Sequence, residues 1–211
     1  MIAYKFLARG AVSPFSGAAW PAPSGTMPGA WLAASPGPGP ELWIHGCRPS
    51  DLPYWVDVEL WRVELSDPVR PVLREVQAER GRLLERIEGW ALESRREFTL
   101  QCALRTASFA AEALRQDGRD SEARALSSCE TLDDFAAAAK TLGQKPLPDR
   151  CHHLLGYCGD AAFWSRIGEA RCVPYIASIA AADLRRDPAA MEEERAWQAR
   201  WLCGRLGIAP L

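Results

Sequence analysis

Hydrophobic and polar positions alternate with a period of two in the first part of the chain. In the run "ELWRVEL" (59–65), Trp61, Val63 and Leu65 occupy every second position, the pattern of a strand with one buried face. Four other short runs are bounded by Pro, Gly, Asp and Ser, as strands and turns are: "IAYKFL", "AWLAA", "ELWIHG" and "GRLLERIE". Residues 1–90 are therefore predicted to form a small, Trp- and Pro-rich antiparallel β module.

After Trp90 the apolar positions recur with the period of a helix. The sequence predicts four to six helices in residues 91–211, the first ending near Gly118 and the last covering about 188–206. The apolar stripe of the first helix consists of Leu100, Ala103, Leu104, Ala107, Ala111 and Leu114. The candidate starts are Thr131, Asp149, Asp160 and the Asp187–Pro188 pair, and the candidate stops are Gly143, Gly159 and Gly207. The fold class expected is α+β, with the helical region packed on the β module as one compact unit.

Composition and charge narrow the partners. The chain of 211 residues is 48% hydrophobic and 25% charged, with a net charge of −2 and no basic run, which argues against nucleic acid and anionic membranes as partners. The uncharged stretch 10–40 is interrupted by many prolines and glycines, so it is not expected to span a membrane as a helix. The seven cysteines are an odd number without a Cys-x-x-Cys pair, and the N-terminal residues lack the pattern of a signal peptide. These features predict a cytoplasmic protein with reduced thiols.

The segment "WIHGCRPSDLPYW" (43–55) concentrates the candidate chemistry. Cys47 is followed by Arg48 and lies two residues after His45, an arrangement that could lower the thiol pKa and produce an attacking thiolate. In a strand, residues 45 and 47 point the same way and residue 48 points away. The alternative is a small buried cysteine beside a hydrogen-bonded histidine.

A metal site and a cofactor site are both disfavoured. Cys151 and Cys158 lie seven residues apart, which is about 10 Å along a helix and too far for both to hold one ion. A site that combines His45 and Cys47 with the segment 151–158 is weaker than the alternative of buried thiols and surface histidines. No phosphate-binding glycine loop, Gly-x-Ser-x-Gly or His-Glu-x-x-His motif is present. The sequence therefore predicts no metal and no cofactor.

A binding cleft needs no covalent chemistry. Five tryptophans and two tyrosines of the β module could line it: Trp20, Trp31, Trp43, Trp55, Trp61, Tyr4 and Tyr54. Lys5, His45, Arg48 and Asp51 would then fix the polar groups of a ligand. The alternative is that these rings form the core of a module with few other large side chains.

The last predicted helix offers a different kind of surface. Trp197 and Trp201 lie four residues apart, so they share one strongly apolar face. Such a face either closes the core or forms a homodimer contact.

The opening "AYKFL", Trp20, Trp31 and "HGCRPSDLPYW" with the strand after it resemble a bacterial family of uncharacterised proteins whose N-terminal module carries a Gly-x-His-x-Cys element. The resemblance covers about residues 1–65, and this chain has Trp43 where that family tends to have glycine. It implies a module without implying a reaction. The layout also resembles the split β core of ADP-ribosyltransferase-like enzymes, which need a glutamate near the ribose; Glu59 and Glu64 are the candidates.

Three functions follow, in order of preference. The first is the binding of a small ligand or protein partner at the face carrying Tyr4, Lys5, His45, Cys47, Arg48, Asp51, Tyr54 and Trp55. The second is a group-transfer enzyme that uses the same pocket, with His45, Cys47 and Glu59 as catalytic residues. It predicts an accessible His45 within hydrogen-bond reach of Cys47 or a carboxylate. The third is a structural protein that dimerises through Trp197 and Trp201.

Overall fold

The computed structural model describes residues 1–34 and 43–209. The predicted α+β class, with an antiparallel β region followed by helices, is confirmed. No helix within the described ranges is both long and apolar enough to cross a membrane.

Two antiparallel sheets form the β region. The strands are β1 (Ile2–Leu7), β2 (Leu32–Ala33), β3 (Ile44–Gly46), β4 (Glu59–Leu65), β5 (Arg70–Val72), β6 (Glu75–Ala78) and β7 (Arg80–Arg86). The first sheet has the strand order β1-β4-β7-β2, and the second has the order β3-β6-β5. Each of the five predicted runs contains a strand, although Glu41 and Leu42 of "ELWIHG" lie outside the described residues. The sequence reading missed β5 and β6, which are short and follow a turn.

The core of the β region lies on the face of β4 that the alternation predicted. Trp61, Val63 and Leu65 are buried, and Arg62 and Glu64 between them are half-buried. Leu60, which the alternation places on the opposite face, is fully buried as well, so the prediction of one buried face is wrong at that position. The hydrophobic cluster on this face consists of Ala3, Leu7, Ala11, Trp20, Ile44, Trp61, Val63, Leu65, Val76, Ala78 and Leu83. It includes residues from both sheets, so burial of a shared apolar surface stabilises them together.

The described residues after the β region form six α-helices: α1 (Leu92–Gln116), α2 (Asp120–Ser127), α3 (Leu132–Gly143), α4 (Asp149–Arg166), α5 (Cys172–Arg185) and α6 (Ala189–Leu206). The Thr131 hydroxyl accepts a hydrogen bond from the backbone amide of Asp134, and Asp187 Oδ1 accepts one from the amide of Ala189. Side chains that cap the N-terminus of a helix make such bonds. Gly118 and Gly207 have positive φ angles of 73° and 65° just after helix ends, as predicted.

The predicted break at Gly159 and Asp160 is wrong. Both residues lie inside α4, which continues to Arg166. The helix buries six small or apolar side chains, namely Cys151, Leu154, Leu155, Cys158, Ala161 and Ala162. Burial of this face outweighs the roughly 1 kcal/mol by which a glycine disfavours a helix.

The chain divides into two compact units. The first comprises Met1–Ser94 together with Ala199–Leu211, and the second comprises Arg95–Gln198. The end of α6 thus belongs with the β region, whereas the prediction assigned it to the helical one. Within the first unit, Cys203 Sγ lies 3.8 Å from the carbonyl oxygen of Pro49. Leu206 lies against Gly89.

Gly81 allows close packing beside the strand that carries the candidate site. A Cβ atom at this position would lie 2.6 Å from Cγ2 of Ile44 in β3 and 3.1 Å from Cδ2 of Leu65 in β4. We therefore expect Gly81→Ala to lower the free energy of unfolding by about 1–3 kcal/mol through overpacking. Urea titration followed by circular dichroism measures the change.

Gly156→Ala is the matched control, because no atom lies within 4 Å of a Cβ atom built there. Gly156 is exposed inside α4, so alanine should leave stability unchanged or raise it by up to about 1 kcal/mol. Equal stabilities of the two variants would contradict the packing assigned to Gly81.

Candidate functional site

A cavity of about 720 Å³ lies in the first unit. The aromatic residues that line it include Phe15, Trp20, Trp43 and Trp55. The lining residues that can carry a charge include Lys5, His45 and Glu75. Tyr4, Phe6, Ser13, Pro14, Ser16, Ala18, Leu32, Ala33, Ile44, Gly46 and Cys47 complete the lining. Five of the nine residues predicted to form a site, Tyr4, Lys5, His45, Cys47 and Trp55, therefore line one cavity.

The cavity depends on a short antiparallel bridge between segments of the two sheets. The amide of Tyr4 donates to the carbonyl oxygen of Cys47 at 2.9 Å, and the amide of Cys47 donates to the carbonyl oxygen of Tyr4 at 2.7 Å. A Cβ atom at Gly46 would lie 3.1 Å from Cβ of Ala3 and 3.3 Å from the Tyr4 carbonyl oxygen. Because glycine has no Cβ atom, β3 can approach β1 and bring His45 and Lys5 together.

Lys5 is directed toward the apolar face of β1. Its neighbours at two-residue spacing, Ala3 and Leu7, belong to the hydrophobic core. Lys5 Nζ donates to the carbonyl oxygen of His45 at 2.8 Å and lies 5.2 Å from the centre of the Trp20 ring. Burial lowers the pKa of Lys5 to about 8, although the nearby Cys47 and Glu75 act in the opposite direction. A lysine in these surroundings exists partly as a neutral amine near neutral pH.

His45 lies beside a carboxylate that the sequence reading did not select. Its Nδ1 atom is 2.9 Å from Oε1 of Glu75, and its side chain is 25% exposed. The register of the second sheet explains this contact, since His45 pairs with Gln77 and Glu75 lies two residues away on the same face of β6. Gln77 Nε2 also donates to Glu75 Oε1, at 2.7 Å. Gln77 thus holds the Glu75 carboxylate at ion-pair distance from the His45 ring.

Cys47 is buried, with 2% of its surface exposed. Burial raises the pKa of its thiol, and this outweighs the opposite influence of Lys5 and Arg48. An attacking thiolate requires the reverse shift. In these surroundings Cys47 is a neutral, poorly accessible thiol, which agrees with the alternative of a small buried side chain.

Arg48, Asp51 and Tyr54 are not among the residues that line the cavity. Arg48 Nε lies 2.5 Å from Oδ2 of Asp51, and Arg48 Nη2 donates to the carbonyl oxygen of Leu73 at 2.8 Å. The Tyr54 ring packs under the guanidinium group of Arg74 at 4.6 Å. These contacts join the 3₁₀ segment Pro49–Tyr54 to the turn between β5 and β6, so their observed role is structural.

Trp55 follows that segment and does line the cavity. Its indole N–H donates to the carbonyl oxygen of Arg74 at 2.7 Å, which fixes the ring. Phe15 meets this ring edge-on, with 6.4 Å between the ring centres. Phe15 is 84% exposed, although a phenyl group usually avoids water.

Glu59 is absent from the cavity lining and holds a loop instead. Its carboxylate accepts hydrogen bonds from the backbone amides of Gly10 and Ala11, each at 3.0 Å, and from the indole N–H of Trp61 at 3.1 Å. Burial opposes its ionisation, but these hydrogen bonds outweigh that effect, so the pKa of Glu59 lies below its ordinary value. Glu59 therefore anchors the loop after β1.

The remaining predicted groups lie elsewhere. Trp61 belongs to the core, and Trp31 packs under Arg80 and Arg82 at 5.7 and 4.6 Å. Trp197 is partly buried in the second unit beneath Arg105 at 4.0 Å, and Trp201 is partly buried in the first unit. A homodimer through these two tryptophans stays a prediction. Across residues 1–34 and 43–209, no three His, Cys, Asp or Glu side chains are grouped so that they could hold a metal ion.

Glu75 and Phe15 are among the lining residues that the sequence did not point to, and the reason is identifiable for each. Glu75 lies in the four-residue strand β6, where Glu75 and Gln77 alternate with the buried Val76 and Ala78. That alternation was visible but too short to stand out beside longer strands. Phe15 lies in a loop, where no periodicity points to its neighbours.

Comparison of the chain with protein-family models, curated proteins and solved structures yields no match. The resemblance of residues 1–65 to a bacterial family therefore stays a prediction.

The role of Glu59 predicts a pH-dependent loss of stability. At pH 7, Glu59→Gln should lower the free energy of unfolding by about 1–3 kcal/mol, because an amide cannot accept all three hydrogen bonds as the carboxylate does. A carboxylate whose pKa falls on folding stabilises the protein above its unfolded pKa of about 4.3, and loses this effect as pH falls through the folded value. The gap between the wild type and the variant should therefore narrow below about pH 4.5 in urea titrations.

Glu85→Gln provides the control, since Glu85 is 52% exposed and pairs with Arg62 at 3.1 Å. Loss of such a surface pair should change stability by at most about 1 kcal/mol. If the stability difference between the wild type and Glu59→Gln stayed constant down to the acid transition, the charge of Glu59 would not stabilise the fold.

Proposed function

We propose that the β region binds a small molecule with an aromatic or apolar body in the cavity beside Lys5, His45 and Trp55. The observation that carries this proposal is the convergence of aromatic residues and a few polar groups on one space of about 720 Å³. Ligand sites in proteins commonly enclose about 300–1,000 Å³ and combine an apolar lining with a small number of polar groups that orient the ligand.

The contacts around the cavity support a site with fixed walls. The indole N–H groups of Trp20 and Trp55 are both hydrogen-bonded, to Ser13 Oγ at 3.1 Å and to the Arg74 carbonyl oxygen at 2.7 Å. A ligand that enters such a site does not have to order these rings, which reduces the entropic cost of binding. Lys5 and Glu75 supply a donor and an acceptor for its polar groups.

A protein segment is a second possible occupant of the same site. An extended apolar chain could place one aromatic side chain in the cavity. The lining does not favour a protein segment. Its polar residues His45, Glu75 and Lys5 lie close together, which suits the polar groups of a compact ligand. Small-molecule binding is therefore the function that the geometry favours.

Phe15 offers a test that separates binding from folding. Its ring is 84% exposed, so Phe15→Ala should change the free energy of unfolding by no more than about 0.5 kcal/mol. A ligand that packs on this ring should bind about 5- to 30-fold more weakly to the variant, which corresponds to 1–2 kcal/mol. Calorimetric titration with 2-naphthalenemethanol, a neutral bicyclic probe, measures this change.

Leu73→Ala is the matched control. Leu73 is 90% exposed in the turn between β5 and β6 and does not line the cavity, so neither binding nor stability should change. Equal affinities of the wild type and Phe15→Ala would argue against the cavity as the binding site.

General-base catalysis by His45 is a second candidate function, favoured by one observation. His45 is partly exposed in the cavity, and its Nδ1 atom lies at ion-pair distance, 2.9 Å, from the Glu75 carboxylate. A carboxylate this close can help to position the imidazole ring. The ADP-ribosyltransferase analogy receives no such support, because Glu59 is occupied by the loop after β1 and Glu64 pairs with Arg82 at 2.6 Å outside the cavity lining.

If His45 acts as a general base, the protein should hydrolyse an activated ester such as 4-nitrophenyl acetate, and His45→Gln should lower the rate at least tenfold. Glu75→Gln should produce a smaller loss, since it removes only the orienting charge. His153→Gln is the control, because His153 is exposed on α4 in the second unit. A rate that is the same in His45→Gln and His153→Gln would reject this candidate.

A further inference from the structure

We propose that Lys5 is a reactive amine that forms a reversible imine with an aldehyde or ketone group of a ligand held in the cavity. This inference rests on the binding function proposed above, and it adds the chemical class of the ligand and the atom that captures it.

The position of Lys5 is the first argument. The side chain leaves the apolar face of β1, and its Nζ atom contacts a backbone carbonyl oxygen at 2.8 Å and the Trp20 ring at 5.2 Å. Both contacts suit an ammonium group, since a carbonyl oxygen accepts its N–H and the Trp20 ring lies within cation–π distance, but neither partner carries a negative charge. The Glu75 carboxylate also favours the charged form, yet the loss of solvation outweighs these influences. A lysine with a purely structural role would be better placed beside a carboxylate or in water.

The protonation state of Lys5 supports the same conclusion. Burial lowers the pKa of Lys5 to about 8, against the influence of Cys47 and Glu75; His45 also faces this group, through its carbonyl oxygen. At pH 8, about half of Lys5 is then neutral, whereas an ordinary lysine with a pKa near 10.4 is less than about 1% neutral. Only the neutral amine has the lone pair that attacks a carbonyl carbon.

The reaction needs no further reagent. The Nζ lone pair forms a bond to the carbonyl carbon while the C=O π pair moves to oxygen, and proton transfer from nitrogen to oxygen gives a carbinolamine. Loss of this hydroxyl group with the second amine proton, as one water molecule, forms the C=N bond. Nothing is oxidised or reduced, and hydrolysis reverses each step.

The surrounding rings select among carbonyl compounds. Trp20 lies next to the amine, and Trp43, Trp55 and Phe15 line the rest of the cavity. An aromatic aldehyde or ketone can pack its body on these rings while its carbonyl carbon reaches Nζ. Small hydrophilic aldehydes lack this binding energy and should react less selectively.

The test is reductive trapping with 2-naphthaldehyde and sodium cyanoborohydride, which converts an imine into a stable secondary amine. The chain has three lysines, Lys5, Lys140 and Lys145, so the last two are internal references. Peptide mass spectrometry locates the label, and fragment ions separate Lys5 Nζ from the amino group of Met1. Trapping at pH 7–8 should label Lys5 at least about tenfold more than Lys140 or Lys145.

Two further measurements link the label to the cavity. 2-Naphthalenemethanol, which lacks the carbonyl group, should suppress labelling of Lys5 and leave that of Lys140 unchanged. Lys5→Arg keeps a positive charge but removes the amine, so it should abolish the selective label. If this variant does not fold, the comparison among the three lysines of the wild type still decides the question.

The failures are distinguishable. Equal labelling of the three lysines, or labelling of Lys5 that 2-naphthalenemethanol does not suppress, would overturn the imine proposal. Binding of 2-naphthalenemethanol without selective trapping of Lys5 would also overturn it and would leave the proposed binding function intact. If 2-naphthalenemethanol does not bind and Lys5 is not labelled, both proposals fail.

Discussion

The antiparallel bridge between Tyr4 in β1 and Cys47 directly after β3 is the constraint on which the candidate site depends. Two backbone hydrogen bonds form this bridge, and Gly46 favours it because a Cβ atom there would lie 3.1 Å from Cβ of Ala3. The bridge sets His45 and Cys47 near Lys5, although these residues are about 40 positions apart in the chain. If β3 moved away by the width of a methyl group, the hydrogen bond from Lys5 to the His45 carbonyl would be lost. The geometry of the site therefore follows from backbone packing.

The same bridge places polar groups at positions where apolar side chains would make the fold more stable. Lys5 occupies a position between Ala3 and Leu7, both core residues, and a leucine there would bury more apolar surface at no electrostatic cost. Proteins retain unfavourable groups of this kind chiefly where a function requires them. Glu59 differs from Lys5 in this respect. The hydrogen bonds to its carboxylate outweigh the effect of burial, so the charged form is stabilised and the pKa of Glu59 falls. A purely structural role accounts for Glu59. At Lys5 the His45 carbonyl oxygen, the Trp20 ring and the Glu75 charge all favour the ammonium form, but burial outweighs them and the pKa falls.

Much of the fold could be predicted from the sequence because local patterns determine it. The alternation in "ELWRVEL" identified β4 and its buried face, and the capping residues Thr131 and Asp187 marked two helix starts. The failures arose where long-range contacts decide. Gly159 stops a helix in isolation, but the buried face of α4 carries the helix through it. The strands β5 and β6 are too short to produce a periodic signal, and pairing in a sheet stabilises them.

The site illustrates the same division between local and long-range information. The segment 43–55 drew attention through its residue types, and His45, Cys47 and Trp55 do line the cavity, but their neighbours could not be ranked without coordinates. Arg48 and Asp51 satisfy each other, which removes two charges that seemed available to a ligand. Glu75 reaches His45 only through the register of β3 and β6. Residue types thus indicate where polar and aromatic groups are concentrated, whereas strand register decides which groups share a cavity and which neutralise one another. Strand register thus places Glu75 at ion-pair distance from His45 and leaves the Lys5 amine bonded to the His45 carbonyl oxygen in the same cavity.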